Sequence, residues 1–386
     1  MLQIFDMKIN DMQSSIIINM IKFFKIFIIS IVFSLLIDFF FGKLILKKLD
    51  KFLLKTEFYE RLIRINYPVY HHTLSPNIDY KHANGINFIY RICTNDHGFK
   101  SKCNSIAGKK FNIAFMGDSF VEGGLEYEKT FVGIFEDKTK LSIANLGIIS
   151  YAPKIYLSKI KYLLDNNFRF KHIIVFIDIS DFYDDSNFYT IDENFVVTEK
   201  YAKEKNLKRR RFLRKNFPFT NFYLYVLKRS TFFEKKTKYK QNALPAFTSK
   251  TNLKSLWTFS KTENIEGYDL SLKEGTDEMV KIMNQLYDLL KRNNIKLSVA
   301  VYPWPQQLLY DTVDSLQVKI WKNFCLNKCE NFINYFPLFF DEIEKTSFID
   351  VYKKYYFFHD VHFNENGNKL IAEHLINNYK FVSDNN

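Results

Sequence analysis

Short apolar runs alternate with segments of helical periodicity from residue 111 onward. Runs of strand length lie at 111–117, 141–147, 172–178, 296–304 and 330–336, and apolar residues follow helical spacing at 153–165, 277–292, 318–325 and 364–380. Continuous apolar runs of this length are typical of strands that are buried on both faces. Strands that alternate with helices predict an α/β fold, in which helices cover both faces of a parallel sheet.

The apolar segment 23–46 predicts a transmembrane helix, because about 20 apolar residues suffice to cross the hydrocarbon of a bilayer. Lys25 and Asp38 lie towards its two ends, where each could reach the membrane interface. The segment is longer than the apolar part of a signal peptide, and no A-x-A cleavage pattern follows it. We therefore expect an uncleaved anchor, with a buried core helix as the alternative.

These patterns divide the chain into six parts. They are an N-terminal tail (1–22), a transmembrane anchor (23–46), a connecting region with short strands and turns (47–110), the first part of an α/β domain (111–181), an insertion rich in basic and aromatic residues (182–264), and the second part of the α/β domain (265–386). The insertion interrupts the alternation of strands and helices. It is either a solvated basic segment or a surface that contacts membrane or acidic glycan.

Composition narrows the class of protein. The chain has 386 residues, of which 25% are charged, with low glycine and proline counts, so disordered and collagen-like proteins are excluded. The net charge of +13 and the 18% aromatic content reflect either a general compositional bias or attraction to an anionic surface. No nucleic-acid recognition module is found, so we expect no nucleic-acid partner.

Two features disagree about the membrane orientation. Three lysines lie before or at the N-terminal end of the apolar segment (Lys8, Lys22, Lys25), and five lie at or after its C-terminal end (Lys43, Lys47, Lys48, Lys51, Lys55). The positive-inside rule would place the C-terminal side in the cytoplasm. The spacing of Cys93 with Cys103, and of Cys325 with Cys329, allows either disulfides formed in an oxidising compartment or buried thiols. A disulfide four residues apart inside an intact helix would fit poorly.

Serine-based chemistry is indicated at the two ends of the α/β pattern. Ser119, in Gly117-Asp118-Ser119, directly follows the first predicted strand, at the sheet edge where open α/β sheets bind ligands. Near the C-terminus, Asp360 and His362 can supply an orienting acid and a base for it. The alternatives are a helix N-cap role for Ser119 and a structural role for His362, and the neighbouring His359 is a competing base.

With these residues the chain resembles the SGNH, or GDSL-type, hydrolases and acyltransferases. The resemblance covers 111–181 and 355–380, and it implies a flavodoxin-like three-layer sandwich with a parallel central sheet. It makes Ser119 the nucleophile of a Ser119–His362–Asp360 triad. The two-residue spacing of Asp360 and His362, where the family usually has three, is similar to some polysaccharide O-acetyltransferases of this superfamily.

The resemblance also implies an oxyanion hole. The N–H groups of Ser119 and Gly147 fit it, and Ser180 stands where the family has an asparagine, in Asp178-Ile179-Ser180-Asp181. For the substrate, we expect contacts from Asp118, Asp181 and Trp304. Asp178 and Asp181 have loop capping as an alternative role, and the aromatic stretch 302–305 is either a wall for a sugar or acyl chain or ordinary packing.

The expected function is that of a membrane-anchored serine esterase or O-acetyltransferase that acts on cell-envelope carbohydrate or lipid esters. Its partners would be the lipid bilayer, an acylated glycan or lipid substrate and an acyl donor, and no metal or cofactor is needed by the mechanism. We expect the inner membrane, with the catalytic domain in the periplasm. The alternative is an inactive protein of the same fold that binds glycan or assists envelope assembly.

Overall fold

The computed structural model describes residues 2–50, 63–84, 89–200, 212, 216–220, 223, 250–358 and 360–379. The chain forms two compact units. One consists of Met1–Leu54 with Ala202–Asn242, and the other of Lys55–Tyr201 with Ala243–Asn386. The middle of the predicted insertion therefore belongs with the N-terminal helix, while its ends belong with the α/β unit. Most of its basic residues, and His359, lie outside the described residues.

The first unit contains helix α1 (Leu2–Asp50). Within this helix, Met20–Gly42 is long and apolar enough to cross a membrane. This segment begins and ends a few residues earlier than the predicted anchor at 23–46. Its side chains are exposed, apart from three positions on one face, so the alternative of a core helix buried in the protein is wrong.

The second unit contains eleven strands and ten α-helices in its described residues. The strands are β1 (Arg64–Tyr67), β2 (His71–Leu74), β3 (Asp79–Asn84), β4 (Ile89–Cys93), β5 (Lys110–Met116), β6 (Ile143–Asn145), β7 (Arg169–Ile177), β8 (Tyr189–Ile191), β9 (Val197–Glu199), β10 (Lys296–Val301) and β11 (Asn331–Asn334). The helices are α2 (Ser119–Glu122), α3 (Phe131–Thr139), α4 (Pro153–Asp165), α5 (Asp181–Asn187), α6 (Leu272–Arg292), α7 (Pro305–Tyr310), α8 (Leu316–Cys325), α9 (Phe336–Lys345), α10 (Phe348–Tyr355) and α11 (Glu365–Asn378). Short 3₁₀ turns lie at Tyr127–Lys129 and Leu256–Thr258.

Five strands form the central sheet in the order β6-β5-β7-β10-β11, and all neighbours are parallel. Counted in chain order within this sheet, the arrangement is 2-1-3-4-5, the flavodoxin-like order. Each strand coincides with one of the five predicted apolar runs. The prediction of an α/β sandwich with a parallel central sheet, preceded by an apolar helix, is confirmed.

Helices flank the sheet in two layers. Helix α3 packs against α11, and α4 packs against α6. The chain crosses from β5 to β6 in one direction and from β6 to β7 in the other, and right-handed crossovers in opposite directions place α3 and α4 on opposite faces. The sheet is consequently buried on both sides, which explains the unbroken apolar character of its strands.

Two disulfides lie in the second unit. Cys93, at the end of β4, pairs with Cys103, and Cys325 pairs with Cys329. Helix α8 ends at Cys325, so Cys329 lies in the turn that follows. The expected misfit of a pair inside an intact helix therefore does not apply, because the chain leaves the helix between the two cysteines.

Candidate active site

The turn after β5 carries Ser119 at the carboxyl edge of the sheet. The Asp118 carboxylate accepts a hydrogen bond from the Phe120 N–H at 2.9 Å and so caps helix α2. A side chain at Gly117 would meet the Phe176 carbonyl oxygen at 2.9 Å. The turn can therefore pass this close to β7 only with glycine, and it points the Ser119 side chain towards the switch point between β5 and β7.

His362 and Asp360 come from the loop between α10 and α11 and meet Ser119. The Ser119 Oγ lies 2.7 Å from His362 Nε2, and His362 Nδ1 is hydrogen-bonded to the Asp360 carboxylate. The carboxylate favours the tautomer with hydrogen on Nδ1, which leaves Nε2 free to accept the hydroxyl proton. Since 26% of the His362 side chain is exposed, a substrate can reach this pair.

Tyr352 holds the loop that carries Asp360. Its hydroxyl donates to the Asp360 carbonyl oxygen at 3.0 Å and accepts from the Asp360 N–H at 3.1 Å. The His362 N–H also donates to the Asp360 carboxylate at 2.8 Å. Sequence patterns gave no sign of Tyr352, because its role depends on packing between α10 and the following loop.

The charges of the pair stabilise each other. Burial alone would lower the pKa of His362, but the Asp360 carboxylate, with smaller contributions from Asp118 and Asp178, raises it above 6.5. Burial would likewise raise the pKa of Asp360, yet its interactions with His362 lower it below 3.8. An imidazolium formed during proton transfer is thus stabilised at this position.

Three buried carboxyl groups, Asp118, Asp178 and Asp181, lie beside the triad with oxygens within 4.8 Å of one another. Burial, and then the neighbouring Asp178, raise the pKa of Asp118 to about 7. Burial, followed by both neighbours, raises the pKa of Asp181 well above its usual value. Oxygens this close can share a proton or a hard cation, and the raised pKa values favour protonated forms.

Neutral donors also satisfy these carboxyl groups. The Trp304 indole N–H donates to Asp178 at 2.6 Å, the Tyr156 hydroxyl to Asp181 at 2.8 Å, and the Tyr302 hydroxyl to Asp118 at 3.3 Å. Trp304, Asp118 and Asp181 are 5%, 3% and 0% exposed. Substrate contact by these three side chains stays a prediction, and in the structure the Trp304 indole N–H is occupied by Asp178.

The predicted oxyanion hole is only partly in place. Ser119 begins helix α2, so its N–H has no partner within the helix and can serve as a donor. The Gly147 N–H instead donates to the Asn145 side chain at 3.1 Å. Ser180 is buried at the start of α5, with its own N–H bound to Asp178 at 2.7 Å. An oxyanion would have to displace Asn145 to reach Gly147.

We predict that kcat/KM for an ester rises with pH on an acidic limb whose apparent pKa lies above 6.5. His362 must be neutral to accept the Ser119 proton, and its pKa is raised by Asp360 and Asp118. Asp118 carries its negative charge above its own pKa of about 7, and Asp118→Asn removes that charge, so the limb should move to lower pH. Profiles between about pH 5 and 9 check this, with the exposed Asp288→Asn as control. An upward or absent shift in Asp118→Asn would contradict the assignment.

Comparison with known proteins finds no matching family model and no matching curated protein. Several solved structures are similar. The esterase EstA from Pseudoalteromonas sp. is 10% identical, with 70% of this chain and 95% of that chain covered and a TM-score of 0.34. The acetylxylan esterase Axe2 from Geobacillus stearothermophilus is 11% identical, with 71% and 96% covered and a TM-score of 0.38.

A third similar structure is LAE5, an α/β hydrolase enzyme from the metagenome of Lake Arreo. It is 9% identical, with 69% of this chain and 92% of that chain covered and a TM-score of 0.34. These three neighbours are hydrolytic enzymes by name. Identities and TM-scores this low do not assign the chain to the family of any of them.

Proposed function

We propose that the protein is a membrane-anchored serine ester hydrolase or O-acyltransferase of SGNH type. The observation that supports this proposal best is the pair of hydrogen bonds that join Ser119 to His362 and His362 to Asp360. A nucleophile with a base, and an acid that orients the base, is the arrangement needed for acyl transfer through a covalent intermediate.

In the proposed reaction, the Ser119 oxygen bonds to the carbonyl carbon of an ester as its proton passes to His362 Nε2. The carbonyl electron pair moves onto oxygen, where the Ser119 N–H stabilises it. Collapse expels the alcohol, which takes the proton from His362, and leaves an acyl-enzyme. Water then releases a carboxylic acid, or a sugar hydroxyl accepts the acyl group. The proposed substrate is an ester of cell-envelope carbohydrate or lipid.

We further propose that the α/β unit lies outside the cytoplasm. Both disulfides belong to this unit, and disulfides persist mainly in oxidising compartments. The lysines that follow the anchor favour the opposite orientation. The disulfides are the stronger argument, because two separate pairs, Cys93–Cys103 and Cys325–Cys329, are both bonded in this unit.

A membrane-impermeant fluorophosphonate tests both proposals at once. We predict that spheroplasts with the full-length protein are labelled from outside, since the probe reacts with activated serines, and that Ser119→Ala removes all labelling. The exposed Ser142→Ala serves as the matched control and should label like the parent. Labelling only after lysis would contradict the orientation alone. A folded parent without label even after lysis would contradict serine chemistry and favour an inactive glycan-binding protein.

A further inference from the structure

Asp38 is an acidic residue within the apolar segment Met20–Gly42. An unpaired carboxylate within the hydrocarbon of a bilayer is unfavourable. The sequence suggested that it extends to the water interface. The structure shows otherwise, because Asp38 is only 3% exposed, while most of its neighbours along the helix are exposed.

Backbone donors from the insertion occupy both oxygens of Asp38. The Phe219 N–H donates to Oδ1 at 2.9 Å, and the Thr220 N–H donates to Oδ2 at 2.6 Å. The carboxylate gains two hydrogen bonds, and two backbone groups gain an acceptor. Inside a bilayer such mutual pairing is needed, because no water is present to satisfy either side.

The helix surface around Asp38 packs against residues 216–220, which we call the docked segment. Among the α1 side chains whose burial is described (20–42, 44 and 45), the less exposed ones are at 35, 38, 42 and 45, which lie along one helical face. A side chain at Gly42 would clash with the Asp38 carboxylate and would meet the Pro218 ring at 3.1 Å. The Phe39 and Phe217 rings also lie 5.9 Å apart. Glycine thus allows close packing, as between membrane helices.

The depth of this contact follows from the helix geometry. Asp38 precedes the end of the apolar segment by one helical turn, or roughly 6 Å along the axis. The docked segment must reach the same level. Phe212 and Tyr223, on either side of it, are 57% and 55% exposed, and aromatic residues of this kind favour the membrane interface.

We propose that the docked segment is a second membrane-contacting element, which enters a phospholipid bilayer beside α1 and is held there by Asp38. The proposal does not depend on the esterase function. The chain passes between the two units three times, after residues 54, 201 and 242. The α/β unit would therefore be tethered to the membrane through its insertion as well as through the anchor.

Quenching by lipid-borne spin labels tests this proposal in the full chain, reconstituted in phosphatidylcholine vesicles with labelled acyl chains. In each of three variants, one phenylalanine is replaced by a cysteine that carries a fluorophore. The test variant is Phe212→Cys, the lipid-exposed control is Phe33→Cys in α1, and the aqueous control is Phe358→Cys in the α/β unit. The four native cysteines are paired in disulfides, so they do not react with the fluorophore. We expect quenching at position 212 to be several-fold stronger than at 358.

The variant Asp38→Ala should reduce quenching at position 212 to the level of 358 and leave position 33 unchanged. Retained quenching at position 33 would show that the helix still inserts. Asp38→Asn keeps one acceptor oxygen and should give an intermediate value. Weak quenching at 212 in the parent would overturn the proposal, because the docked segment would then lie in water. Strong quenching that persists in Asp38→Ala would overturn the role of Asp38.

Discussion

Replacing His362 with glutamine is expected to lower kcat for ester hydrolysis by about 10⁶-fold, as expected for loss of the base in a serine triad. The amide cannot take the Ser119 proton, although it can occupy a similar volume. The histidine ring lies 2.7 Å from the serine oxygen and packs against Phe120, with ring centroids 4.7 Å apart. Steady-state hydrolysis of a p-nitrophenyl ester measures the effect, and thermal unfolding verifies the fold.

The matched control is His97→Gln, because His97 bonds to the Ala107 carbonyl oxygen at 2.9 Å and lies outside the triad. Its activity should stay near that of the parent. Asp360→Asn should lower kcat by about 10⁴-fold, since the amide no longer fixes the imidazole tautomer. If His362→Gln kept a tenth of the parent activity, the triad could not be the catalytic machinery.

The sheet and the reactive residues could be predicted because each depends on local sequence. A strand buried on both faces must be apolar along its length, so five runs revealed five strands. Ser119 follows one of these strands directly, and the last helix fixes the position of Asp360 and His362. The parallel topology then brings the two ends of the α/β pattern to one sheet edge.

Other features depend on contacts between distant residues, which no spacing reveals. Trp304 was predicted either to form an aromatic wall or to pack ordinarily, and its indole N–H donates to Asp178. Gly147 looked like a free donor, but the Asn145 side chain occupies its N–H. Asp38 looked like a residue at the membrane interface, but a segment about 180 residues later in the chain covers it. In each case a polar group was satisfied inside the protein rather than by substrate or water.

Glu122 is a further example, and it links the nucleophile helix to the region before the sheet. It ends helix α2 and is 3% exposed. Arg64, on β1, donates to both of its oxygens at 2.7 and 2.5 Å, and the Ile149 N–H donates at 2.8 Å. Burial would raise the pKa of Glu122, but Arg64 lowers it below 4.5. The carboxylate therefore contributes stability at neutral pH that is lost as the pH falls through this lowered value.

Glu122→Ala is expected to reduce the free energy of unfolding by about 3–5 kcal/mol, because it removes the buried carboxylate of the ion pair with Arg64. The melting temperature should fall on the order of 10 °C. The exposed Glu128→Ala is the control and should change stability by less than about 0.5 kcal/mol. Replacing both partners, in Arg64→Met with Glu122→Leu, should restore most of the loss, since both charges of the pair are then removed together. A Glu122→Ala protein as stable as Glu128→Ala would show that this ion pair does not hold the nucleophile helix to β1.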